Sequence, residues 1–391
     1  MTKDMVDTGS EWVERARALF PVVERWRDTA EQERHLPHAL FEALRDAQIF
    51  RLSTPAAVGG AQVEETTALR VIEELSRQDG SVGWNVMVAS NTATIASYLP
   101  SAGLQAIYRG GPSAVVAGAL LPKGEAHRVE HGFRLSGRWT LGSGCHQADW
   151  MVACSIVMED GKPRLHANGM PDIRTFFVPV AQCEILDTWH TAGLRGTGSH
   201  DWQVADVFVP DELSFPIFLD GASRPGALFV KDFAAYAVAR VAAVSLGIAR
   251  DAIDTLITLA KAKVPVVGTR TLATQHITQD RVGRAEALLR AGRAFLYETV
   301  RELPYSPTWD TELTDDQRAA IRLAGAHAAE NAAAAVDLMF NTAGTAGVFT
   351  SSRLERCFRD VHVATQHINV APSNIEMVGQ HLLGFGLHFR R

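Results

Sequence analysis

Hydrophobic periodicity changes twice along this chain, and the order of the changes limits the folds open to it. From about residue 10 to 110 apolar residues recur every three or four positions, as in EWVERARALFPVVERW and LPHALFEALRDAQIFRL. That is the pattern of helices that bury one face. The run PAAVGG, Pro55 to Gly60, breaks it. A charged amphipathic helix, a Gly-containing break and a much more apolar helix then follow in ETTALRVIEELSRQDGSVGWNVMVASNTATIASYLP. From about 113 to 220 the period shortens. SAVVAGALL, HRVEHGFRLSGRWTL, WMVACSIVM, RTFFVPV, CEILDTWHT and WQVADVFVP are short β-branched and aromatic runs separated by Gly, Pro, Asp or Asn. Six or more strands so spaced suggest a small barrel or sandwich. From about 226 helical spacing returns in three long Ala-rich segments, suited to an antiparallel bundle, followed by RLERCFRDVHVATQHINV and a shorter last helix.

Composition narrows the function classes. With 391 residues the chain exceeds one ordinary core. Its hydrophobic share of 47% and charged share of 21% are those of a globular protein. A net charge of −6 argues against nucleic acid as the main partner, because phosphate binding needs a basic surface. The first residues, MTKDMVDTGSEW, lack a signal pattern, and no run of 18 apolar residues free of charges or breakers suggests a membrane span. The four cysteines, Cys145, Cys154, Cys183 and Cys357, form neither a CxxC pair nor a zinc spacing. No metal site is expected, and the expected compartment is the reducing cytoplasm.

The stretch GRWTLGSGCHQADW, Gly137 to Trp150, places many hydrogen-bonding groups beside little side-chain bulk. A β-turn next to a core tryptophan accounts for it structurally, as a ligand-facing strand and turn accounts for it functionally. Cys145 within it fits a small buried filler better than a reactive thiol.

The helix, strand and helix order over nearly the whole chain resembles the acyl-CoA dehydrogenase fold. HLPHALFEALRDAQIFRLSTPAAVGG is similar to that family's first helix pair and turn. GLRGTGSHDWQVADVFVP, Gly193 to Pro210, is similar to its strand after the flavin site, and VSLGIARDAID to the start of its last domain. The resemblance implies an α+β multidomain protein: an N-terminal helical domain over 1–112, a middle β-barrel over 113–222 and a C-terminal four-helix bundle over 223–391. Dehydrogenases of the family need a carboxylate base over the flavin. The two places where it would stand read RDVHVATQHINV, with His367, and Val238, Ala239, Arg240. Neither has a carboxylate. Glu376 lies nine residues further on, about 13 Å along a helix.

Histidine at that place, and the phrase GRWTLGSG, resemble the family's two-component flavin-dependent monooxygenase branch. That implies the oxygenase component. It would use reduced FMN or FAD from a separate NAD(P)H flavin reductase, and O2 through a C4a-hydroperoxyflavin, to hydroxylate a small aromatic or polycyclic substrate. A homotetramer is implied by the same analogy. The alternatives are an acyl-CoA dehydrogenase or oxidase with bound FAD, and a non-catalytic binding protein of the same fold.

The resemblance also implies roles. Ser143 would hydrogen-bond flavin N5, with Gly142 and Gly144 letting the backbone approach the ring and Trp139 covering it. His367 would hold and pass a proton at the reactive edge. Thr197 and Ser199 would bind flavin polar groups, as would Asn341, Gly344, Ser351 and Arg356 from a Gly-rich loop. Phenol hydroxylases of this branch carry a substrate-activating histidine where this chain offers Asn91 and Thr92, and a serine where it offers Gly118 or Ala119. Those positions, with His362, are candidate substrate contacts, and Met87, Val88 and Phe340 candidate pocket walls.

Overall fold

A computed structural model of the chain describes residues 8–167, 169–217, 229–266, 268–304 and 313–387. The first segment holds α1 (Thr8–Ala18), α2 (Phe20–Glu33), α3 (His38–Asp46), α4 (Glu65–Gln78), α5 (Gly80–Ala96) and α6 (Ser101–Ile107). Eight strands follow: β1 (Val116–Val129), β2 (Gly132–Trp139), β3 (Trp150–Glu159), β4 (Lys162–Pro163), β5 (Ile173–Pro179), β6 (Glu184–Leu186), β7 (Asp201–Pro210) and β8 (Ser214–Pro216). The last segment holds α7 (Phe229–Ala262), α8 (His276–Glu302), α9 (Asp315–Ala343), α10 (Arg353–Ala364) and α11 (Ser373–Leu382). The first expected boundary, at 112, falls between Ile107 and Val116. The second, at 222, lies outside the described residues.

The strands form one mixed sheet in the order β6-β7-β2-β1-β3-β5-β8, with β4 paired to β3. Only β1 and β3 run parallel. In a flat sheet β2 and β5 would stand about 14 Å apart, three strand spacings. Yet the rings of Phe133 on β2 and Phe176 on β5 have centroids 5.2 Å apart. The sheet therefore curls around its own apolar interior, as a barrel does.

Packing divides the molecule into two cores rather than three. One joins α1–α5 to the long helices α7, α8, α9 and to α10; the other fills the curled sheet and takes in α6 and the start of α7, with Phe233 and Ala237. Helix α4 packs along α7, so a helix from the first segment stands beside the three long ones. Alanines at 239, 242, 243, 249 and 252 of α7 and at 324, 328, 329, 332 and 335 of α9 are buried. Their small side chains let these backbones approach closely. Helix α5 belongs to both cores: Val82, Val86 and Met87 pack in the first, Ile95 and Ala96 in the second. Every residue of α5 except Val88 and Asn91 is buried, so it carries no solvent face.

A buried ion pair closes the junction of α4, α5 and α7. Arg240, only 2% exposed, donates from Nε and Nη2 to the two carboxylate oxygens of Glu65 at 2.8 and 2.7 Å. Its Nη1 reaches Asn91 Oδ1 at 3.2 Å and Thr94 Oγ1 at 3.1 Å. Removing one partner of such a pair strands the other charge in the core. Glu65→Ala is therefore expected to lower the unfolding free energy by about 3–5 kcal/mol in urea titrations. The double change Glu65→Leu with Arg240→Met is expected to recover most of that loss.

Candidate active site

Two loops build the site. One runs from the end of β2 to the start of β3; the other is the turn before β7. Backbone hydrogen bonds sew them together, Gly142 N–H to His200 C=O and Gly144 N–H to Thr197 C=O, both at 2.9 Å. Gly144 has φ +78°, and a Cβ there would lie 2.9 Å from Asn85 Oδ1 of α5. Both facts require glycine. Cys145 is buried with its thiol on Gly198 C=O at 3.3 Å. Burial pushes that thiol up to about 12, which leaves it an inert filler.

The sewn loops align four side chains. Trp84 Nε1–H donates to Ser143 Oγ at 3.1 Å. Ser143 Oγ lies 2.6 Å from Ser199 Oγ, which lies 2.6 Å from Thr197 Oγ1. Thr197 Oγ1 lies 2.8 Å from the carbonyl oxygen of Leu194. Two oxygens that close need a proton between them, and a carbonyl has none, so Thr197 donates to Leu194. Thr197 must then accept from Ser199, and Ser199 from Ser143. The chain of donors runs one way, from the Trp84 indole through three hydroxyls to Leu194.

Trp84 also meets His367, edge to face, with ring centroids 5.6 Å apart at 68°. His367 stands beyond the end of α10, in the tight turns that follow, and not on the helix that carries His362. Its Nδ1 receives the Asn369 backbone N–H at 3.2 Å. A backbone amide only donates, so Nδ1 carries the lone pair and Nε2 the proton. The surrounding protein lowers its pKa to about 4, because the imidazolium would lose solvation there. The ring is neutral at neutral pH.

Helix α10 anchors these parts. Arg353, Arg356, Cys357 and Asp360 fall at positions i, i+3, i+4 and i+7, one inward face of the helix. Asp79 caps α5 by accepting the Ser81 and Val82 N–H groups at 3.0 and 3.3 Å. Arg353 binds Asp79 at 3.2 Å and Asp251 of α7 at 2.6 Å. Asp360 accepts the Leu194 N–H at 2.6 Å, so it holds the residue on which the hydroxyl chain ends. Burial, with Asp79 nearby, raises the Asp360 carboxyl to about 7.

Beside Ser143 is a cavity of about 10 Å³, room for roughly one water. Its apolar wall is Phe41, Phe50, Ala89, Val115 and Val116, with Asn85 as the polar group from α5. No aspartate or glutamate is among the described residues that line it. Glu65 is taken by Arg240, and Glu376 is exposed on α11 beside Gln380. No group of three or more His, Cys, Asp or Glu able to hold a metal occurs among the described residues.

Ser143, Thr197, Ser199 and His367 are thus brought together with Trp84. Other expected contacts are placed elsewhere. Trp139 is fully buried in the sheet interior, stacked on Trp202 at 4.5 Å and donating to Cys154 C=O at 2.8 Å. It faces the barrel core, not a ring-covering wall. Arg356 is committed to Asp28 at 2.6 Å and to Arg27 C=O, tying α10 to α2, so it is no free ligand for a flavin. Asn91 is engaged by Arg240 and by the sulfur of Met87. The Thr92 hydroxyl lies 2.6 Å from Val116 C=O, where it ties α5 to β1 and has no proton left for a substrate. Gly118 has φ +128°, and a Cβ would lie 2.3 Å from Val152 C=O, so the β1–β3 pairing itself demands it. His362 pairs with Asp337 at 2.9 Å and packs on Phe358, which stacks on Phe340 at 4.4 Å. Met87 is in the helical core and Val88 packs against it. Asn341, Gly344 and Ser351 are exposed around the turn after α9. Sequence reasoning missed Trp84, Phe41 and Phe50. The two phenylalanines read as ordinary core positions of helical segments, and Trp84 lies on a helix whose apolar run reads as core.

The chain matches the family models of the acyl-CoA dehydrogenase N-terminal domain over residues 3–105 and C-terminal domain over residues 239–372. It therefore belongs to the acyl-CoA dehydrogenase family, in the flavin-dependent monooxygenase branch, and is an oxidoreductase of that class. An indole-3-acetate monooxygenase of Pseudomonas putida is 31% identical over 90% of this chain and 89% of its own. The oxygenase component of an FADH2-dependent resorcinol hydroxylase from a Rhizobium species is 27% identical over 90% of this chain and 89% of its own. Among solved structures, XiaF from a Streptomyces species, in complex with FADH2 and glycerol, superposes with a TM-score of 0.87 at 25% identity. The superposition covers 98% of this chain and 97% of that one. No helix among the described residues is long and apolar enough to cross a membrane.

The position of Asp360 has a pH signature. Its carboxyl binds a proton more tightly in the fold, at about 7, than unfolded, at about 4. Its contribution to stability is therefore complete below about pH 4 and fades as pH rises toward 7. Asp360→Asn keeps an oxygen for Leu194 and cannot ionise. Relative to wild type, the variant is expected to gain stability between pH 5 and pH 8 in urea unfolding. A constant difference between the two pH values would contradict the buried, proton-binding carboxyl.

Proposed function

We propose that this chain is the oxygenase component of a two-component monooxygenase. It would take reduced FMN or FAD from a separate NAD(P)H-dependent flavin reductase and hydroxylate a small, electron-rich aromatic substrate with O2. The observation that carries this is the neutral His367 and the Ser143 hydroxyl chain joined through Trp84, with no carboxylate lining the adjacent cavity. A dehydrogenase that removes an α-proton needs that carboxylate.

The donor set fits a flavin edge. Ser143 offers an oxygen lone pair, Gly144 leaves the backbone without a side chain, and His367 carries its proton on Nε2. The cavity beside Ser143 admits no ring, so a ring-sized ligand would lie outside it, against the linked side chains of Ser143, Trp84 and His367. When bound, the reduced flavin supplies the electrons that activate O2. The protein's part is to orient the ring, keep water away and hold a proton at His367 Nε2. The Phe41, Phe50 and Val116 side supports an apolar, planar substrate. The Thr92 hydroxyl, committed to backbone carbonyls, leaves no group there to ionise a phenol, which favours a substrate already nucleophilic, such as an indole.

A homotetramer is part of the same proposal. Val348, Phe349, Ile368, Leu382 and Leu383 are all more than half exposed in the single chain. Exposed apolar side chains that adjoin one another mark interfaces, and Val348 and Phe349 are adjacent in sequence between Gly344 and Ser351.

The test mixes the protein with reduced FMN or FAD, O2 and a panel of indoles and phenols, and measures hydroxylated product and H2O2 per flavin oxidised. His367→Ala is expected to lower product by a factor of about 10²–10⁴. Ser143→Ala is expected to divert flavin oxidation from product to H2O2, raising H2O2 per flavin oxidised in the presence of substrate. Wild-type product and H2O2 yields in both variants would overturn the assignment.

A further inference from the structure

We infer that Ser199 and Thr197 make the site selective for the reduced form of the flavin by fixing the direction of the Ser143 proton. This selectivity rests on the proposed placement of flavin N5 against Ser143. The physical basis is the one-way hydroxyl chain. Leu194 C=O takes the Thr197 proton, Thr197 takes that of Ser199, and Ser199 takes that of Ser143. Trp84 Nε1–H occupies one acceptor position on Ser143. What remains on Ser143 Oγ is a lone pair and no proton.

The two redox forms of a flavin differ at this point of contact. Reduced flavin carries N5–H, a donor. Oxidised flavin has only a lone pair at N5. An oxygen locked as an acceptor makes a hydrogen bond with the first and opposes a lone pair to the second. A freely rotating serine would serve both equally, by turning its O–H toward the oxidised ring. Reversing the chain inside this protein would leave the Thr197 and Leu194 oxygens 2.8 Å apart with no proton between them. It would thus replace a hydrogen bond by a repulsion. Leu194 is itself held: its N–H is bound by Asp360, and its carbonyl also receives Trp189 Nε1–H at 3.1 Å. The end of the chain therefore does not yield easily, and a carbonyl two hydroxyls away from Ser143 decides which form of the ligand is preferred.

Anaerobic equilibrium dialysis with oxidised FMN and with dithionite-reduced FMN measures the two dissociation constants without turnover. Wild type is expected to bind the reduced form more tightly. Ser199→Ala removes the acceptor for the Ser143 proton, which can then point outward. Its affinity for oxidised FMN is expected to rise, and the preference for reduced over oxidised to fall about tenfold, the worth of one hydrogen bond. Thr197→Val acts one step further along and should shift the ratio in the same direction, which keeps the test available if one variant does not fold. Ser143→Ala should narrow the ratio from both sides, by weakening reduced FMN and by removing the lone pair that opposes N5 of oxidised FMN. A preference unchanged within twofold in both Ser199→Ala and Thr197→Val, with reduced FMN still bound, overturns the directional chain and leaves the monooxygenase proposal standing. Failure of the wild type to bind reduced FMN or reduced FAD overturns both.

Discussion

Arg353 is the point on which the site's geometry depends. Its guanidinium joins the cap of α5, through Asp79, to Asp251 in the middle of α7 and to the Gln78 carbonyl at the end of α4. About two turns further along the same helix face, Asp360 grips Leu194. Three pieces far apart in sequence are set by this one face of α10: the helix that carries Trp84, the turn that carries Thr197 and Ser199, and the segment that leads to His367. A buried charge pair adds little net stability relative to a hydrophobic substitute. Its value here is registry, because a guanidinium with several directed bonds allows one arrangement of α5, α7 and α10.

The two hydrophobic cores explain why a reactive edge arises where it does. The start of α7 serves both, giving Phe233 and Ala237 to the sheet core, and helix α5 runs along their junction with only Val88 and Asn91 partly exposed. Polar side chains on such a helix need partners from the opposite core or from the loops between. Trp84 finds Ser143, Asn85 finds Gly196 C=O and Thr92 finds Val116 C=O. The site is the seam where a helical core and a sheet core satisfy each other's polar groups. The neutral state of His367 follows from the same setting, since the seam gives it an indole and an amide for neighbours and, among the described residues, no ion-pair partner.

Most of the architecture could be read from periodicity. The change from helical to alternating spacing near 113 and back after 220 matches the run from α6 to β1 and from β8 to α7, since burial of one face imposes those periods. Ser143 could be singled out because two glycines flank a hydroxyl there, whereas Thr197 and Ser199 were marked only by the family resemblance. Trp139 was marked by that resemblance too, yet its strand points it inward onto Trp202. Arg356, Asn91 and Thr92 looked like free polar groups. Each has a partner distant in sequence, Asp28, Arg240 and Val116, which no local pattern announces. Phe41 and Phe50 obey core spacing and nevertheless line the cavity, because a core position at a seam is also a wall.

From its sequence alone this chain was determined to be two helical segments around a β segment, without a cysteine framework. Those properties are local, set by residue type and spacing. Which hydroxyl donates to which, which nitrogen of His367 holds the proton and which charges are spent inside the protein were decided only by the tertiary structure. Each depends on a partner 25 to several hundred residues away or on a backbone group whose direction the turn sets. A proton on a hydroxyl or an imidazole has no preferred side until the surrounding acceptors are in place.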